Sequence, residues 1–400
     1  MKIGILTYHS EINYGCTLQA YAMQEAYKEL GHDPIIINRF ITPDNGLLLG
    51  PFARKGLLGI IKNIVLSILG IGTYSMCLRV IKTLKFHHKY LHKTSYSFYD
   101  WKDAPKHLGV DLISVGSDQI WNANLYSPVP YLLKDVDPAI PGISYAASIG
   151  MPKLADKYLQ DYIDGFARFK AISVREKQGV ELIKSLGYNV TQVVDPTLLV
   201  DPTIWEKFKS QKHYKRKRLL CYTLAENLLD LLPVLEEFGK KNDCDVILFP
   251  DRFERWAGLN LKGLKQMLLL KKRLSQSSVK VYISAAIEDF MREISAATWI
   301  VTNSYHAMMF SIIYRKNVRI IVPTDPVRKG MHARMQEFEG SIIEGPLMQD
   351  NIESALASFE NNEEVTYNEG MLKQKVQFSR NWLINQLNTI SDGTNSLVSG

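Results

Sequence analysis

The sequence lacks most of the short motifs that identify common enzyme classes. It has no HExxH motif and no cluster of Cys and His at metal-ligand spacing, which argues against a zinc enzyme. It has neither a Walker lysine loop nor a GxGxxG fingerprint, so nucleotide hydrolysis and dinucleotide binding are disfavoured. The GxSxG elbow of α/β-hydrolases is also missing. We therefore expect neither a bound metal nor a resident cofactor.

Cysteine is scarce, and no two cysteines form a CxxC pair. The four cysteines are Cys16, Cys77, Cys221 and Cys244. Their wide spacing indicates reduced thiols rather than a disulfide framework. The N-terminal run MKIGILTYHS is too short for a signal peptide and predicts a buried first strand. Together these features predict a cytoplasmic protein.

Neither positive nor negative charge is in strong excess in the sequence. The chain has 400 residues and a formal net charge of +7, which fits an anionic ligand, a phospholipid surface or neither. Hydrophobic residues make up 46% of the chain and charged residues 22%, so disordered and fibrous classes are excluded. The length exceeds one ordinary hydrophobic core and favours two domains.

Acidic residues are absent from residues 45–99, which contain eight Lys or Arg. The apolar run GLLGIIKNIVLSILGIG in this segment is broken by Lys62 and is too short to span a bilayer. Either it forms a helix packed on the edge of a domain, or it is a face that docks on the inner surface of an anionic membrane. The basic run KHYKRKR is not interleaved with aromatic platforms, so we expect no nucleic-acid partner.

Strand and helix patterns alternate along both halves of the chain. The run KIGILTY, the helix that ends at Gly31 and the run HDPIIINRF form a βαβ unit, which predicts a parallel sheet. The alternation predicts an α/β fold with two doubly wound, Rossmann-like domains facing a cleft. The predicted parts are a first domain (1–205), a basic connector (206–218), a second domain (219–365) and a C-terminal helix (366–390) that packs back on the first domain.

The stretch TNSYHAMMFSI joins a buried strand to an apolar helix through a histidine that neither a turn nor a cap requires. Asn303 or Ser304 can cap the helix, and the amides at its start can bind an anion. His306 lies in the first turn, within reach of such an anion. Spacing alone does not separate this function from an ordinary surface histidine.

Three further loops follow predicted strands. Arg175 in SVREK emerges at a strand end, where its planar guanidinium suits phosphate or carboxylate, or pairs with a neighbouring acid. In GSDQIWN, Asp118 can accept a hydroxyl proton, Gln119 faces the cleft and Trp121 can stack on a sugar, although Ser117 or Asp118 can equally cap a helix. In EINYG, the loop Asn13, Tyr14 and Gly15 enters a helix at a phosphate-friendly position, or is a tight turn.

Taken in order, several stretches resemble the polysaccharide pyruvyl transferase family from about residue 1 to residue 340. They are ILTYHSEINYGCTLQAYAM, KFHHKYLHKTSYSF, DLISVGSDQIWN, SYAASIG, ISVREKQGVELIKSLGY, VVDPTLLVD and TNSYHAMMFSII. The resemblance implies a fold similar to the GT-B glycosyltransferases and phosphoenolpyruvate as the donor. It also implies a product in which pyruvate bridges two sugar hydroxyls as a cyclic ketal. The implied acceptors are sugars of bacterial capsule, exopolysaccharide or cell-wall polymers, often carried on a lipid diphosphate.

The resemblance also implies that the first domain is the acceptor side and the second the donor side, and it implies roles for single residues. Arg175 matches an arginine of the donor pocket, and His306 matches the histidine of the second domain. Many members read Arg-aliphatic-His where this chain reads Ser304-Tyr305-His306. Arg334 resembles an arginine of the subgroup with Asn-Ser-aromatic-His and is expected to replace the lost charge.

These expectations together define a predicted site. The donor-binding residues are Arg175, Asn303, Ser304 and Arg334; the acceptor-binding residues are Asn13, Tyr14, Gly15, Gln119 and Trp121. His306 is expected to act as the general acid and Asp118 as the base for an acceptor hydroxyl. The alternatives are a nucleotide-sugar glycosyltransferase of GT-B fold and a non-catalytic glycan-binding protein on the same architecture.

Overall fold

The computed structural model describes residues 1–10, 12–42, 73–224, 228–250, 269, 272–323, 332 and 334–398. Its strands are β1 (Lys2–Leu6), β2 (Asp33–Ile36), β3 (Leu112–Val115), β4 (Gly142–Ser144), β5 (Phe169–Ala171), β6 (Ser173–Val174), β7 (Thr191–Gln192), β8 (Arg218–Thr223), β9 (Asp245–Pro250), β10 (Lys280–Val281), β11 (Trp299–Thr302), β12 (Asn317–Ile321), β13 (Ile343–Glu344), β14 (Met348–Gln349) and β15 (Thr366–Tyr367).

The α-helices of the described residues connect these strands. They are α1 (Tyr14–Glu29), α2 (Thr73–Tyr90), α3 (Leu159–Phe166), α4 (Lys177–Ser185), α5 (Pro196–Leu199), α6 (Leu228–Lys241), α7 (Ile287–Ala296), α8 (Tyr305–Ile313), α9 (Ile352–Glu360) and α10 (Glu369–Val398). Short 3₁₀ helices occupy Trp101–Asp103, Val129–Tyr131, Asp156–Tyr158 and Pro202–Phe208.

Each half of the chain forms one parallel sheet. The first sheet has the order β2-β1-β3-β4-β5 and the second the order β10-β9-β8-β11-β12-β14. Their central strands are buried along most of their length, as expected for continuous apolar runs covered by helices on both faces. In the first sheet Ile5 pairs with Ile36 and Ser114, and in the second Val301 pairs with Cys221 and Arg319. The predicted α/β architecture of two Rossmann-like domains is confirmed.

Apolar side chains of both halves pack into one hydrophobic cluster. Ile5 and Leu18 of the first half share this cluster with Ile300 and Met308 of the second. The C-terminal helix α10 lies against the first half, where the Val194 amide donates to the Ser379 hydroxyl at 2.9 Å. The carboxyl ends of β1 and β11 are thereby held close together, which positions the site described below.

The structure adds detail to two predicted segments. The basic connector begins in the 3₁₀ helix Pro202–Phe208, where Trp205 and Phe208 are buried, so only residues 211–217 form an exposed basic stretch. Of the predicted membrane-facing segment, residues 45–99, residues 45–72 lie outside the described residues, and they include the whole apolar run. Within the described part of the chain, none of the helices is long and apolar enough to cross a membrane. The exact domain boundaries stay predictions.

Candidate functional site

Two helix N-termini from opposite halves of the molecule face each other. Helix α1 begins just beyond β1, and helix α8 follows β11 directly. They approach so closely that a Cβ atom on Gly15 would lie 2.1 Å from Nδ1 of His306. No side chain fits at that distance, so glycine is required at position 15 if His306 is to occupy its place. The partial positive charges of both helix ends converge on the same space.

The helix that carries His306 begins where the sequence places its cap. Ser304 is the N-cap of α8, and its hydroxyl accepts from the Ala307 amide at 3.5 Å. Asn303, the other predicted cap, instead pairs with the main chain of Leu224: its Oδ1 accepts from the amide, and its Nδ2 donates to the carbonyl at 3.1 Å. The predicted donor-binding role of the Asn303 side chain is therefore corrected, because that side chain links the strand ends of β11 and β8.

Arg175 lies buried just beyond the end of β6 among three carboxylates. Its Nη1 donates to Oδ2 of Asp195 at 2.9 Å and to the hydroxyl of Ser117 at 3.2 Å. Asp118 and Glu176 approach the same guanidinium at 3.7 and 4.0 Å. Within the described residues, Nε and Nη2 of Arg175 have no hydrogen-bond partner. Arg175 is thus fixed by one nitrogen and retains two donating nitrogens for a ligand.

A second guanidinium lies near the first and contacts the same aromatic ring. The central carbon of Arg175 is 4.3 Å from the centre of the Tyr305 ring, and that of Arg334 is 4.8 Å from it. Nη1 of Arg334 donates to the Ser148 hydroxyl of the first half at 3.3 Å. Burial and the neighbouring Arg175 lower the pKa of Arg334 to about 10, so Arg334 remains charged at neutral pH. Arg175 and Arg334, which lie far apart in sequence, therefore form one basic pair.

His306 is buried beside the same carboxylates. Its Nε2 lies 3.8 Å from Oδ2 of Asp195 and has no hydrogen-bond partner among the described residues. Burial lowers the pKa of His306; Asp195 and Asp118 raise it, and Arg175 and Arg334 lower it further. The net shift is downward, so the imidazole is neutral at neutral pH in the ligand-free site.

Asp118 occupies a left-handed turn after β3, with φ of 58°. Its Oδ1 accepts from the Gln119 amide at 2.8 Å, and its Oδ2 accepts from the Cys16 thiol at 2.9 Å. Burial alone would raise the pKa of Asp118, but His306, Arg175 and these hydrogen bonds outweigh burial and hold the pKa below its usual value. The carboxylate is ionised and can accept a proton. The helix-cap alternative does not apply, since turns follow Asp118.

Two predicted acceptor residues are committed to packing, and a third is not. Tyr14 is buried in the second half, stacked on Phe290 with ring centres 4.5 Å apart. Trp121 is fully buried, and its indole nitrogen donates to the Tyr131 carbonyl. The predicted sugar contacts of Tyr14 and Trp121 are therefore wrong, because both rings are packed inside the protein. The oxygen of Gln119 accepts from Asn122 at 2.7 Å, and the residue is 7% exposed, so its acceptor role stays a prediction.

The other two predicted acceptor residues remain at the edge of the site. Asn13 is partly exposed and caps α1, with its Oδ1 accepting from the amides of Gly15 at 2.8 Å and Cys16 at 3.4 Å. Gly15 lies under the imidazole of His306, as described above. Asn13 and Gly15 can border a ligand, and the acceptor role of both stays a prediction.

Sequence reasoning missed Asp195, which contacts both Arg175 and His306. Its Oδ1 caps α5 by accepting from the amide and hydroxyl of Thr197, at 3.0 and 2.8 Å. In the sequence, Asp-Pro-Thr is a typical helix start, so capping alone explains an Asp at this position. The sequence gives no sign that its second carboxylate oxygen faces the site. Tyr305 was missed because an aromatic residue beside an apolar helix is indistinguishable from a core residue.

The assembled groups can hold an anion and move protons. Two guanidinium groups, an unpartnered imidazole nitrogen and a helix N-terminus offer positive potential or donors, while Asp118 offers a base. Three carboxylates surround Arg175 and repel an anion that binds beside it. Binding is therefore favoured when the anion carries a proton or is accompanied by uptake of one. Among the described residues, no group of His, Cys, Asp and Glu has the geometry of a metal site.

Comparison with known families and structures places this site in context. A family model described as polysaccharide pyruvyl transferase matches residues 13–325, which include every residue named above except Arg334. No curated protein matches the chain significantly.

Solved structures with a similar fold include two UDP-GlcNAc 2-epimerases. The enzyme from Methanocaldococcus jannaschii is 14% identical, with a TM-score of 0.51, and the match covers 96% of this chain and 99% of that one. The enzyme from Rickettsia bellii is 10% identical, with a TM-score of 0.51 and coverage of 98% and 97%. At such low identity the likeness shows the fold alone: two Rossmann-like domains of GT-B type around a cleft.

Proposed function

Because the chain belongs to the polysaccharide pyruvyl transferase family, we propose that it transfers pyruvate from phosphoenolpyruvate to two hydroxyls of a sugar, forming a cyclic ketal. The acceptor is a sugar of a bacterial capsule or exopolysaccharide, or its precursor on a lipid diphosphate. The observation that carries the proposal is the meeting of Arg175 and His306, from opposite halves of the chain, on one carboxylate. Asp195 lies 2.9 Å from the guanidinium and 3.8 Å from the imidazole.

The donor is recognised by its charge. Phosphoenolpyruvate carries a phosphate and a carboxylate, and each charge-assisted hydrogen bond contributes about 1.5–3 kcal/mol. Nε and Nη2 of Arg175 and Nε of Arg334 are buried donors without partners among the described residues. An anion that receives these hydrogen bonds removes the cost of leaving the donors unsatisfied. The N-terminus of α8 adds a favourable dipole.

Proton movements follow from the positions of His306 and Asp118. Binding of the donor anion raises the pKa of His306, so the imidazole is charged when the chemistry begins. His306 then protonates the terminal CH2 of the enol, which makes C2 electrophilic. Asp118 takes the proton of the first hydroxyl as that oxygen bonds to C2. The C2–O bond to phosphate breaks, the second hydroxyl oxygen bonds to C2 and closes the ketal, and its proton passes to the departing phosphate.

Helix α2 offers a surface for contact with the cytoplasmic face of a membrane. Ile81 and Leu84 are 45% and 37% exposed, and Lys85, His88 and Lys89 flank them on the outer side of the helix. An apolar stripe beside basic residues suits anionic lipid. We expect co-sedimentation with vesicles containing phosphatidylglycerol and loss of that binding in Lys85→Glu/Lys89→Glu. Binding by neither protein would remove the membrane from the proposal.

The test of function is product analysis. The protein is incubated with phosphoenolpyruvate and lipid-linked glycans extracted from a capsule-producing bacterium, and the glycans are analysed by mass spectrometry. We expect a gain of one pyruvate less water, together with phosphate release that depends on the glycan. A gain of a sugar from a nucleotide sugar would favour the glycosyltransferase alternative. Glycan binding without phosphate release would favour the binding protein.

A further inference from the structure

The Tyr305 ring contacts both arginines of the basic pair. It is buried at the first position of α8, with Arg175 from the first half 4.3 Å and Arg334 from the second half 4.8 Å from its centre. Two buried guanidinium groups this close to one ring repel each other, and the lowered pKa of Arg334 reflects that repulsion in part. A favourable contact is therefore needed to keep the two guanidinium groups close together before a ligand binds.

An aromatic face suits this task better than the alternatives. The negative face of the ring attracts each guanidinium and uses none of its N–H donors. A carboxylate in the same place would attract the arginines more strongly, but it would consume the donors and repel an anion. An aliphatic side chain would separate the two groups without offsetting their repulsion. The ring therefore keeps the nitrogens of Arg175 and Arg334 available.

We propose that Tyr305 is a positioning residue that holds Arg175 and Arg334 side by side, so that one multiply charged anion bridges both. The inference rests on the proposed donor site. It adds that the ring face, rather than the hydroxyl, sets the strength of anion binding. The only ring contacts of Tyr305 among the described residues besides these cations are to His306 and Phe338, both edge-on.

The test compares ring variants by calorimetric titration with phosphoenolpyruvate and with inorganic phosphate. Tyr305→Phe keeps the face and should bind within about twofold of the wild type. Tyr305→Leu should bind both anions about tenfold more weakly, the size of a desolvated cation–π contact. Phe338→Leu is the matched control, because the described contacts place Phe338 beside Tyr305 but on neither guanidinium, and it should bind normally.

A second series guards against a folding defect in Tyr305→Leu. Phenylalanine carrying one, two or three fluorines at position 305 keeps the ring shape while its face becomes less negative. Affinity should fall stepwise along the series at unchanged thermal stability. Constant affinity across the series would overturn the proposal.

The Arg334→Ala background supplies a further check. If the ring acts through the arginines, Tyr305→Leu should lose much less affinity there than in the wild type, and equal losses would again overturn the proposal. If the wild-type protein binds phosphate but not phosphoenolpyruvate, the proposed donor fails while the ring series remains decisive with phosphate. If it binds neither anion, the positioning role falls as well.

Discussion

Helices α1 and α8 begin alike but use their first residues differently. Each starts beyond a buried strand with a polar cap, Asn13 or Ser304, followed by a tyrosine. Tyr14 crosses into the other half and stacks on Phe290, where it is 2% exposed. Tyr305 is 4% exposed and faces two guanidinium groups, whereas the Tyr14 ring faces three aromatic rings and one guanidinium, that of Arg79 at 4.6 Å. The same local pattern thus serves interdomain packing on one side and the proposed anion site on the other.

The next residue completes the contrast between the two helices. Gly15 in α1 supplies empty space, and His306 in α8 fills it. The role of each helix start therefore depends on the residues of the opposite half that it contacts. The local sequence of the helix does not reveal those contacts. Four predictions follow the contrast, from the largest expected effect to the smallest.

The largest effect should come from the α8 side. His306→Ala removes the proposed proton donor, and we expect turnover to fall about 10²–10⁴-fold with thermal stability little changed. Phosphate release with phosphoenolpyruvate and glycan is the measurement. His107→Ala, at an exposed histidine outside the site motifs, is the control and should turn over normally. An active His306→Ala enzyme would remove His306 from the mechanism.

The matching change on the α1 side should affect stability. Tyr14→Ala empties an aromatic pocket and should lower the free energy of unfolding by about 3–5 kcal/mol, as measured by urea denaturation. Tyr14→Phe keeps the stacking on Phe290 and loses the long hydrogen bond to the Ala285 carbonyl, so it should cost less than about 1.5 kcal/mol. Equal losses in both variants would contradict a packing role for the ring.

Gly15→Ala tests the contact between the two helices. The new Cβ would meet the imidazole of His306 at 2.1 Å, so the ring must move away from Asp195. A displacement of about 1 Å can cost about 10²-fold in rate, and we expect such a loss in turnover. Gly370→Ala is the control, since its nearest neighbour would be 3.6 Å away. Full activity in Gly15→Ala would show that His306 need not occupy this position.

The smallest effect concerns pH. Burial holds the pKa of His306 below its usual value, and a bound anion should raise it. Between the pKa of the free state and that of the bound state, only the complex carries the proton, so donor affinity should rise severalfold as pH falls through that window. Calorimetry in buffers of different ionisation enthalpy should show proton uptake that His306→Gln lacks. Identical uptake in the variant would assign the proton elsewhere.

The sequence was a good guide to regular elements and a poor one to tertiary neighbours. Apolar runs such as KIGIL and WIVT predicted the buried central strands correctly. The run VKVYIS has the apolar alternation of a full strand, yet only Lys280–Val281 pair, at the edge of the sheet where β10 has one neighbour.

Within the site, spacing suggested Arg175, His306 and Asp118, which the fold brings together. It misplaced Trp121, whose burial depends on Phe166 and Phe169 packing from elsewhere in the fold. An aromatic residue after a polar loop has the same local signature in either setting. The contacts of Asp195 with the site could not be predicted, because its role as a helix cap is sufficient to explain an Asp at this position.

The most direct measurement is a crystal structure of the protein soaked with phosphoenolpyruvate. We predict the donor between the start of α8 and Arg175, with hydrogen bonds from Nε or Nη2 of Arg175 and from Nε of Arg334, and with the enol carbons beside His306 Nε2. Phosphoenolpyruvate bound away from both arginines, or excluded from a site that instead takes a nucleotide sugar, would contradict the account.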